Sequence, residues 1–398
     1  MGVEHHRVVI VGGGAAGITV AARLDKAGLD GVALIEPSDR HYYQPLWTLV
    51  GGGVVPARAS VRAEAQLIPR RTCWVRDRVV EIDPDRREVA TAGGLRLGYD
   101  ALVVAAGIQL DWGAIPGLTE GIRRGAVTSN YRFDLAPLNW ERMHSFGGGT
   151  AVFAGVAGPH KCGGAIQKAT YLAADEFRRR QILDASDVVL ATPAESIFGV
   201  PEFARPLSSV LEHYSIDARF GHELVEIRPS QREAVFTTRN GPTTTIAYDL
   251  LHAVPPQSAP DFLKSGPLAV PDDPKGWVDV DSETLQHRRY SDVFALGDCS
   301  GAPNAKTGAA VRKQAPVVVE NLRSVLAGQE PEARYDGYSS CPIVTAYGKV
   351  VLAEFDYSGR PHKTIPLIDT ARERRSMWLL KRYGLPFLYW HLMLRGRA

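Results

Sequence analysis

Four cysteines in 398 residues, Cys73, Cys162, Cys299 and Cys341, are too few for a disulfide-built scaffold, and they form no C-x-x-C pair of the metal-binding kind. Such thiols suit a reducing compartment, in which a disulfide is catalytic rather than structural. Neither sign of charge dominates: 46 Lys and Arg against 44 Asp and Glu give +2, which offers no field for nucleic acid. The C-terminal apolar segment falls short of the ~20 residues that cross a bilayer. Its longest uncharged run, the twelve residues from Tyr383 to Leu394, is interrupted by Gly384 and Pro386. The first strand-like run opens at Arg7 and leaves no space for a secretory leader, so the cytoplasm or an equivalent compartment is expected. Repeats and low-complexity linkers are also missing, and 45% hydrophobic content implies a globular chain with ample core.

What is present begins with "RVVIVGGGAAGITVAARLDKAGLDGVALIE", residues 7 to 36, which reads as strand, glycine turn, helix, strand. Gly12, Gly14 and Gly17 form G-x-G-x-x-G directly after an apolar strand, and Glu36 closes the next strand at the spacing that sets an acid on a ribose hydroxyl. Glycines allow the turn and the close approach of backbone to pyrophosphate, which the helix N-terminus faces. This pattern alone leaves FAD and NAD open. Two later stretches, "YDALVVAAG" (99 to 107) and "YSDVFALGDCS" (290 to 300), resemble the later FAD contacts of flavoproteins with two dinucleotide domains, with Gly297 and Asp298 as flavin residues. The FAD domain is then split, with an insert between about 115 and 290.

The insert opens with "GGGTAVFAGVAGPHKCGG", whose strand feeds a second nucleotide-type turn. A nicotinamide reader needs small residues and free N–H groups there, yet the turn carries His160, Lys161 and Cys162, and Pro159 removes a donor. The second nucleotide is therefore expected to be lost. Cys162 stands before a helix expected from Gly164 to about Leu183, and beside Lys161; both features favour thiolate. Alternation marks strands such as "REAVFTTR", residues 232 to 239. His160 and Lys168 lie close in sequence to this cysteine but show no pattern that assigns them a role. Trp378, Leu379, Leu380, Phe387, Leu388, Tyr389, Trp390 and Met393, set among Lys381, Arg382, Arg395 and Arg397, make the C-terminus an amphipathic segment suited to a membrane surface, or to docking on the core.

"KCGGAIQKATYL", "GWVDVDSETLQHRRYSDVFALGDC", "AKTGAAVRKQAPVV", "SSCPIVTAYGKVVLAEFDY" and "PFLYWHLMLRG" together resemble the sulfide:quinone oxidoreductases, in particular their type II form, from about residue 7 to the C-terminus. The resemblance implies an α/β fold of two Rossmann-like dinucleotide-binding domains, arranged as in glutathione reductase, plus a C-terminal membrane-interface region. It divides the chain into an FAD domain (1–115 and 290–335), a second Rossmann-like domain (116–289) and a C-terminal region (336–398). Cys162 and Cys341 match the redox pair, Gly12, Gly14, Gly17, Glu36, Gly297 and Asp298 the FAD contacts, and Lys306 and Thr307 the segment near the flavin ring. Residues 108 to 161 lack the third cysteine of some members, which implies FAD held without a covalent bond. Cys73 and Cys299 match no role and are read as packing residues.

The chemistry so implied starts with hydrosulfide attack on a Cys162–Cys341 disulfide, with Lys161 and the helix start stabilising the leaving thiolate. The persulfide is expected on Cys341 and the flavin-facing thiolate on Cys162. A small nucleophile such as sulfite, glutathione or coenzyme A removes the sulfane sulfur, and the electrons pass through FAD to ubiquinone or another membrane quinone. The protein is expected on the cytoplasmic side of a membrane, peripheral, with no metal, and as a homo-oligomer if it self-associates. The alternatives are a type II NADH:quinone oxidoreductase, which would keep a glycine turn after the second strand, and a flavin-binding redox sensor without turnover.

Overall fold

The computed structural model describes every residue except Met1, Arg239, Asn240, Pro366 and Leu367. Its first parallel sheet is built on β1 (Glu4–Val11), which runs into α1 (Ala15–Lys26) and returns as β2 (Val32–Ile35); β3 (Thr72–Val75) and β4 (Arg96–Val104) flank the pair. The order is β3–β2–β1–β4, with Ile10 opposite Leu34 on one side and Val103 on the other. Val8, Val9 and Ile10 are fully buried, as a strand covered on both faces requires, which explains the continuous apolar run. α1 lays Ile18, Ala21 and Leu24 on the sheet. It ends where Gly28 takes a left-handed conformation, φ +76°.

The insert repeats this plan. β5 (Gly149–Ala154) leads to α2 (Ala165–Arg179), then β6 (Ser186–Thr192), β7 (Asp217–Phe220) and β8 (Leu250–Ala253), in a parallel sheet of order β7–β6–β5–β8. An antiparallel meander, His222–Arg228, Glu233–Thr238 and Gly241–Ala247, fills the last crossover. Its middle strand covers the expected one apart from Arg232, which turns left-handed at φ +55°, and Arg239, which lies outside the described residues. α2 stops short of Leu183 because Gln181 turns left-handed, φ +61°, and the Ile182 N–H closes back on the Phe177 carbonyl at 2.9 Å.

The chain then re-enters the first sheet. β9 (Val293–Ala295) pairs in parallel with the end of β4, Phe294 opposite Val103, so the first sheet is assembled from both sides of the insert. α3 (Gly308–Leu326), capped by the Thr307 hydroxyl accepting the Ala310 N–H, packs against α1. The hairpin β10 (Ser339–Ala346) and β11 (Lys349–Phe355) lies against α2.

The C-terminal segment, helical with several wide turns from Arg375 to Arg395, divides its apolar residues between two surroundings. Trp378, Tyr389, Trp390, Met393 and Leu394 are buried on the protein side, whereas Leu379, Tyr383 and Phe387 are 56%, 58% and 59% exposed. The segment thus combines the two readings of its composition: the stripe at i, i+4, i+8 faces out, and Trp378, Tyr389, Trp390 and Met393 belong to the core. Among the described residues no helix is long and apolar enough to cross a membrane.

Candidate active site

A single cavity of about 630 Å³ runs from the first glycine turn to the C-terminal segment. At one end Gly12, Gly13, Gly14, Ala15 and Ala16 line it, so the first N–H groups of α1, which no helical carbonyl can satisfy, open onto it. Gly12 sits at φ +99°, and a Cβ there would lie 2.5 Å from the Ala105 oxygen; one on Gly17 would lie 1.8 Å from the Gly12 oxygen. Both glycines are therefore needed for helix and turn to close up, while Gly14 has open space above it. The Glu36 carboxylate accepts the N–H groups of Gly13 and Ser38, each at 2.8 Å, and lines the cavity. Burial raises its pKa, against the pull of those two hydrogen bonds. Gly297, φ +74°, Asp298, Lys306 and Thr307 form the opposite wall. The Lys306 ammonium donates to the carbonyls of Asp298 (2.6 Å) and Ser300 (3.0 Å) and lies over the Trp277 ring, so it braces the Gly-Asp turn. A cradle of free N–H groups closed up by Gly12 and Gly17, an acid at its rim and a second helix start beyond it fits a dinucleotide.

At the other end stand the two thiols. Cys162 Sγ and Cys341 Sγ are 4.0 Å apart although 179 positions separate them. Cys162 has φ +52°, a strained conformation for a residue with a side chain, held by its N–H donating to the Lys306 carbonyl (3.0 Å) and its carbonyl accepting from Ala165 N–H (2.8 Å). Gly164 lets the start of α2 approach: a Cβ there would meet Cys341 Sγ at 2.8 Å. Lys168 points back along the helix and places Nζ 3.1 Å from Cys162 Sγ. It is 2% exposed, and a buried ammonium needs an anionic partner to be tolerated. The hydrogen bond from Cys341, followed by the charge of Lys168, holds the Cys162 thiol well below its usual range. Cys341, which gives that hydrogen bond and is buried, is pushed well up. The pair thus carries its negative charge on Cys162.

Lys161, expected to support the thiolate, turns instead over the Trp47 ring, with Nζ 5.6 Å from its centre, because the left-handed Cys162 reverses the chain between them. Burial lowers its pKa to about 8. Lys168, which the sequence left unassigned, takes that place. His160 bonds the Gly158 carbonyl at 2.9 Å and does not line the cavity. The sequence reading set Lys381 among the surface cations of the C-terminal segment and gave it no place in the site. This residue leaves the C-terminal segment inward, 2% exposed, donates to the Pro45 carbonyl at 2.8 Å and lines the same cavity; burial, then Lys168, lowers its pKa to about 7. A lysine between Leu380 and the aromatics reads as a snorkelling cation, and only the aromatic company of its neighbours signals otherwise. Cys299 is buried against the Val104 carbonyl, and Cys73 is exposed on β3.

The turn after β5 has three of its donors in use. Ala157 N–H donates to the Glu223 carboxylate (3.0 Å), Lys161 N–H to the Gln257 side chain (2.9 Å) and Cys162 N–H to the Lys306 carbonyl. A pyrophosphate there would find those three N–H groups taken, no donor at Pro159 and a carboxylate beside it.

Residues 6–316 match the family described as pyridine nucleotide-disulphide oxidoreductase. Over 396 residues the chain is 42% identical to the mitochondrial sulfide:quinone oxidoreductase of Mus musculus, covering 99% of this chain and 87% of that one. It is 40% identical over 394 residues to the mitochondrial enzyme of the same name from Dictyostelium discoideum, covering 98% and 86%. The solved sulfide:quinone oxidoreductase of Aquifex aeolicus, 19% identical, shares the fold at a TM-score of 0.81 over 99% of this chain and 92% of that one. The chain therefore belongs to the pyridine nucleotide-disulphide oxidoreductases and, within them, to the sulfide:quinone oxidoreductase family.

Proposed function

We propose that this enzyme oxidises sulfide at Cys162 and Cys341 and delivers the two electrons to a membrane quinone. FAD is the cofactor and supplies the two-electron relay between sulfur and quinone when bound. Gly12, Gly14 and the start of α1 would hold its pyrophosphate, Glu36 the ribose, and Gly297, Asp298 and the start of α3 its other half. The observation that carries the reading is the thiol pair 4.0 Å apart, with the Lys168 ammonium 3.1 Å from one sulfur, on the wall of the cavity that also contains the cradle.

In the oxidised pair, hydrosulfide attacks the disulfide at Cys341, leaving the persulfide there and the electron pair on Cys162. Lys168 holds that thiolate, which is the better leaving group because its pKa is the lower. A small nucleophile of the thiol or sulfite class then takes the outer sulfur. The turn after β5, with the Ala157, Lys161 and Cys162 N–H groups taken and the Glu223 carboxylate beside it, argues against NADH as the electron donor. The domain limits are proposed as 1–115 with 290–335, 116–289 and 336–398; the split first sheet supports them. The stripe Leu379, Tyr383 and Phe387, with Arg382, Arg395 and Arg397 on the same segment, supports attachment to a membrane surface. We assign this surface to the cytoplasmic side, with the four free thiols in support.

The test is stopped-flow reduction of bound FAD by sulfide in Cys162→Ser and Cys341→Ser. Each variant should keep its flavin and lose the reduction by about 10³-fold or more, since each sulfur is a covalent participant. Reduction within tenfold of the parent in either variant removes the pair from the mechanism.

A further inference from the structure

Reduction of a quinone takes two protons as well as two electrons, so an apolar quinone site needs a proton source of its own. One arm of the cavity is lined by Pro342, Leu352, Ile365, Leu380, Leu385 and Leu388. Three of these leucines belong to the segment that carries the exposed stripe, so this arm is continuous with the surface through which a lipid-soluble substrate would enter. Within the arm sits one carboxylate. Glu354, on β11, is 2% exposed and forms no ion pair among the described residues. Its Oε1 accepts the hydroxyls of Tyr338 (2.6 Å) and Thr364 (2.5 Å), and its Oε2 accepts the Thr364 N–H at 3.3 Å. Thr364 stands at the solvent-exposed rim, and the exposed His362 ring lies edge-on to Tyr338 at 5.3 Å.

The hairpin register separates this group from the sulfur chemistry. Cys341 pairs with Ala353, and Ser340 with Glu354, so strand alternation places Glu354, Pro342 and Leu352 on the face opposite Cys341. A quinone on that face is kept from the Cys162 thiolate, a nucleophile that would otherwise add to its ring.

We infer that Glu354 is the proton donor to the quinone, bound on the hairpin face opposite Cys341; this rests on the function proposed above. As two electrons reach the quinone, one oxygen takes a proton that the Glu354 carboxylate has drawn from water at the Thr364 rim, and the other takes a second proton from water, giving the quinol. The carboxylate left behind keeps its Tyr338 and Thr364 donors. The overall change balances: hydrosulfide, one proton and quinone give sulfane sulfur and quinol.

Glu354→Gln preserves volume and the acceptor oxygen but carries no transferable proton. With sulfide as donor, its turnover on a short-tailed quinone should fall about 10²-fold in kcat with little change in KM, the size expected for a lost general acid. Turnover on ferricyanide, which takes electrons without protons, should stay within twofold, as should stopped-flow flavin reduction by sulfide. Quenching of tryptophan fluorescence by the same quinone should give an unchanged Kd. Quinone turnover within threefold of the parent overturns the assignment, and so does an equal fall with quinone and ferricyanide, which would make Glu354 a brace for the chain after β11. Failure of sulfide to reduce the flavin of the parent protein would instead remove the function on which the assignment rests.

Discussion

After β1 the chain turns through Gly12, Gly13 and Gly14 and leaves helix N–H groups facing the cavity; after β5 it turns through residues 155–164 and binds the N–H groups of Ala157, Lys161 and Cys162 to Glu223, Gln257 and Lys306. Both turns join a buried parallel strand to a helix of similar length, 12 residues in α1 and 15 in α2. In the first, close packing is secured by glycines whose Cβ positions are filled by backbone. In the second, Gly164 plays a comparable part, but the atom it makes room for is the Cys341 sulfur. A strand–turn–helix unit therefore offers either free donors for a ligand or a rigid mount for a nucleophile at the helix start, and the choice lies in which residues occupy the turn.

The strongest way to break the first turn is Gly17→Ala. The added methyl would stand 1.8 Å from the Gly12 oxygen, so α1 must move off the turn and the cradle with it. The variant should purify without colour, with the flavin-to-protein absorbance ratio reduced at least tenfold, because backbone overlap of this kind has no flexible side chain to absorb it. A fully loaded yellow variant would mean that the cradle is not where the pyrophosphate lies. In the parent, acid precipitation should release the flavin into the supernatant.

The second turn is tested by Lys168→Met. The Cys162 thiol titrates low because Cys341 donates to it and Lys168 stands beside it. Removing the ammonium raises that pKa, and thiolate exists only above it, so reactivity present near neutrality in the parent should appear only at higher pH. The midpoint of alkylation of the reduced protein followed against pH should move upward, with reactivity lost between the old midpoint and the new one. Lys161→Met, at the position favoured by sequence adjacency, should leave the profile in place.

The two lysines mark the limit of what was legible. The first turn could be read outright because its determinants, Gly12, Gly14, Gly17 and Glu36, lie within 25 residues and act through local backbone geometry. The thiol pair came from family resemblance alone, since no local pattern brings residues 179 apart together. Lys168 was passed over in favour of Lys161 because proximity in sequence says nothing of a left-handed residue that turns the chain between them. In the C-terminal segment, composition gave an amphipathic surface element, yet Tyr389 donates or accepts at His41 Nε2 at 2.5 Å and stacks on Tyr43 at 4.3 Å, deep against the first turn. Which aromatics pack inward depends on wide helical turns that shift the 3.6-residue period, and periodicity alone cannot supply them.

That division sets the test of the surface role. Deleting the segment would strip Tyr389, Trp390, Met393 and Leu394 from the core, so membrane attachment should be probed on the exposed stripe only. Serine at 379, 383 and 387 together should weaken binding to anionic vesicles about tenfold or more, as expected from the apolar area withdrawn from the interface, and leave sulfide reduction of the flavin unchanged. Equal vesicle binding in co-sedimentation would leave the stripe without that role.

The smallest effect expected is from Glu223→Gln, and it sharpens the contrast between the turns. Glu223, on the strand His222–Arg228, sets a carboxylate against the second turn that would repel a phosphate, so its loss is the simplest step back toward a nicotinamide site. Glutamine can still accept the Ala157 N–H, however, and the Lys161 and Cys162 N–H groups remain bound to Gln257 and Lys306. Pro159 still lacks a donor. Neutralising the carboxylate therefore removes a repulsion without freeing a single hydrogen bond, and a pyrophosphate gains nothing to hold it. Sulfide-dependent quinone reduction should stay within twofold of the parent, and NADH should not replace sulfide as donor. If NADH reduces the flavin of this variant at a rate comparable with sulfide, the turn after β5 retains a nucleotide site held shut by one charge, and the contrast drawn from its three bound donors fails.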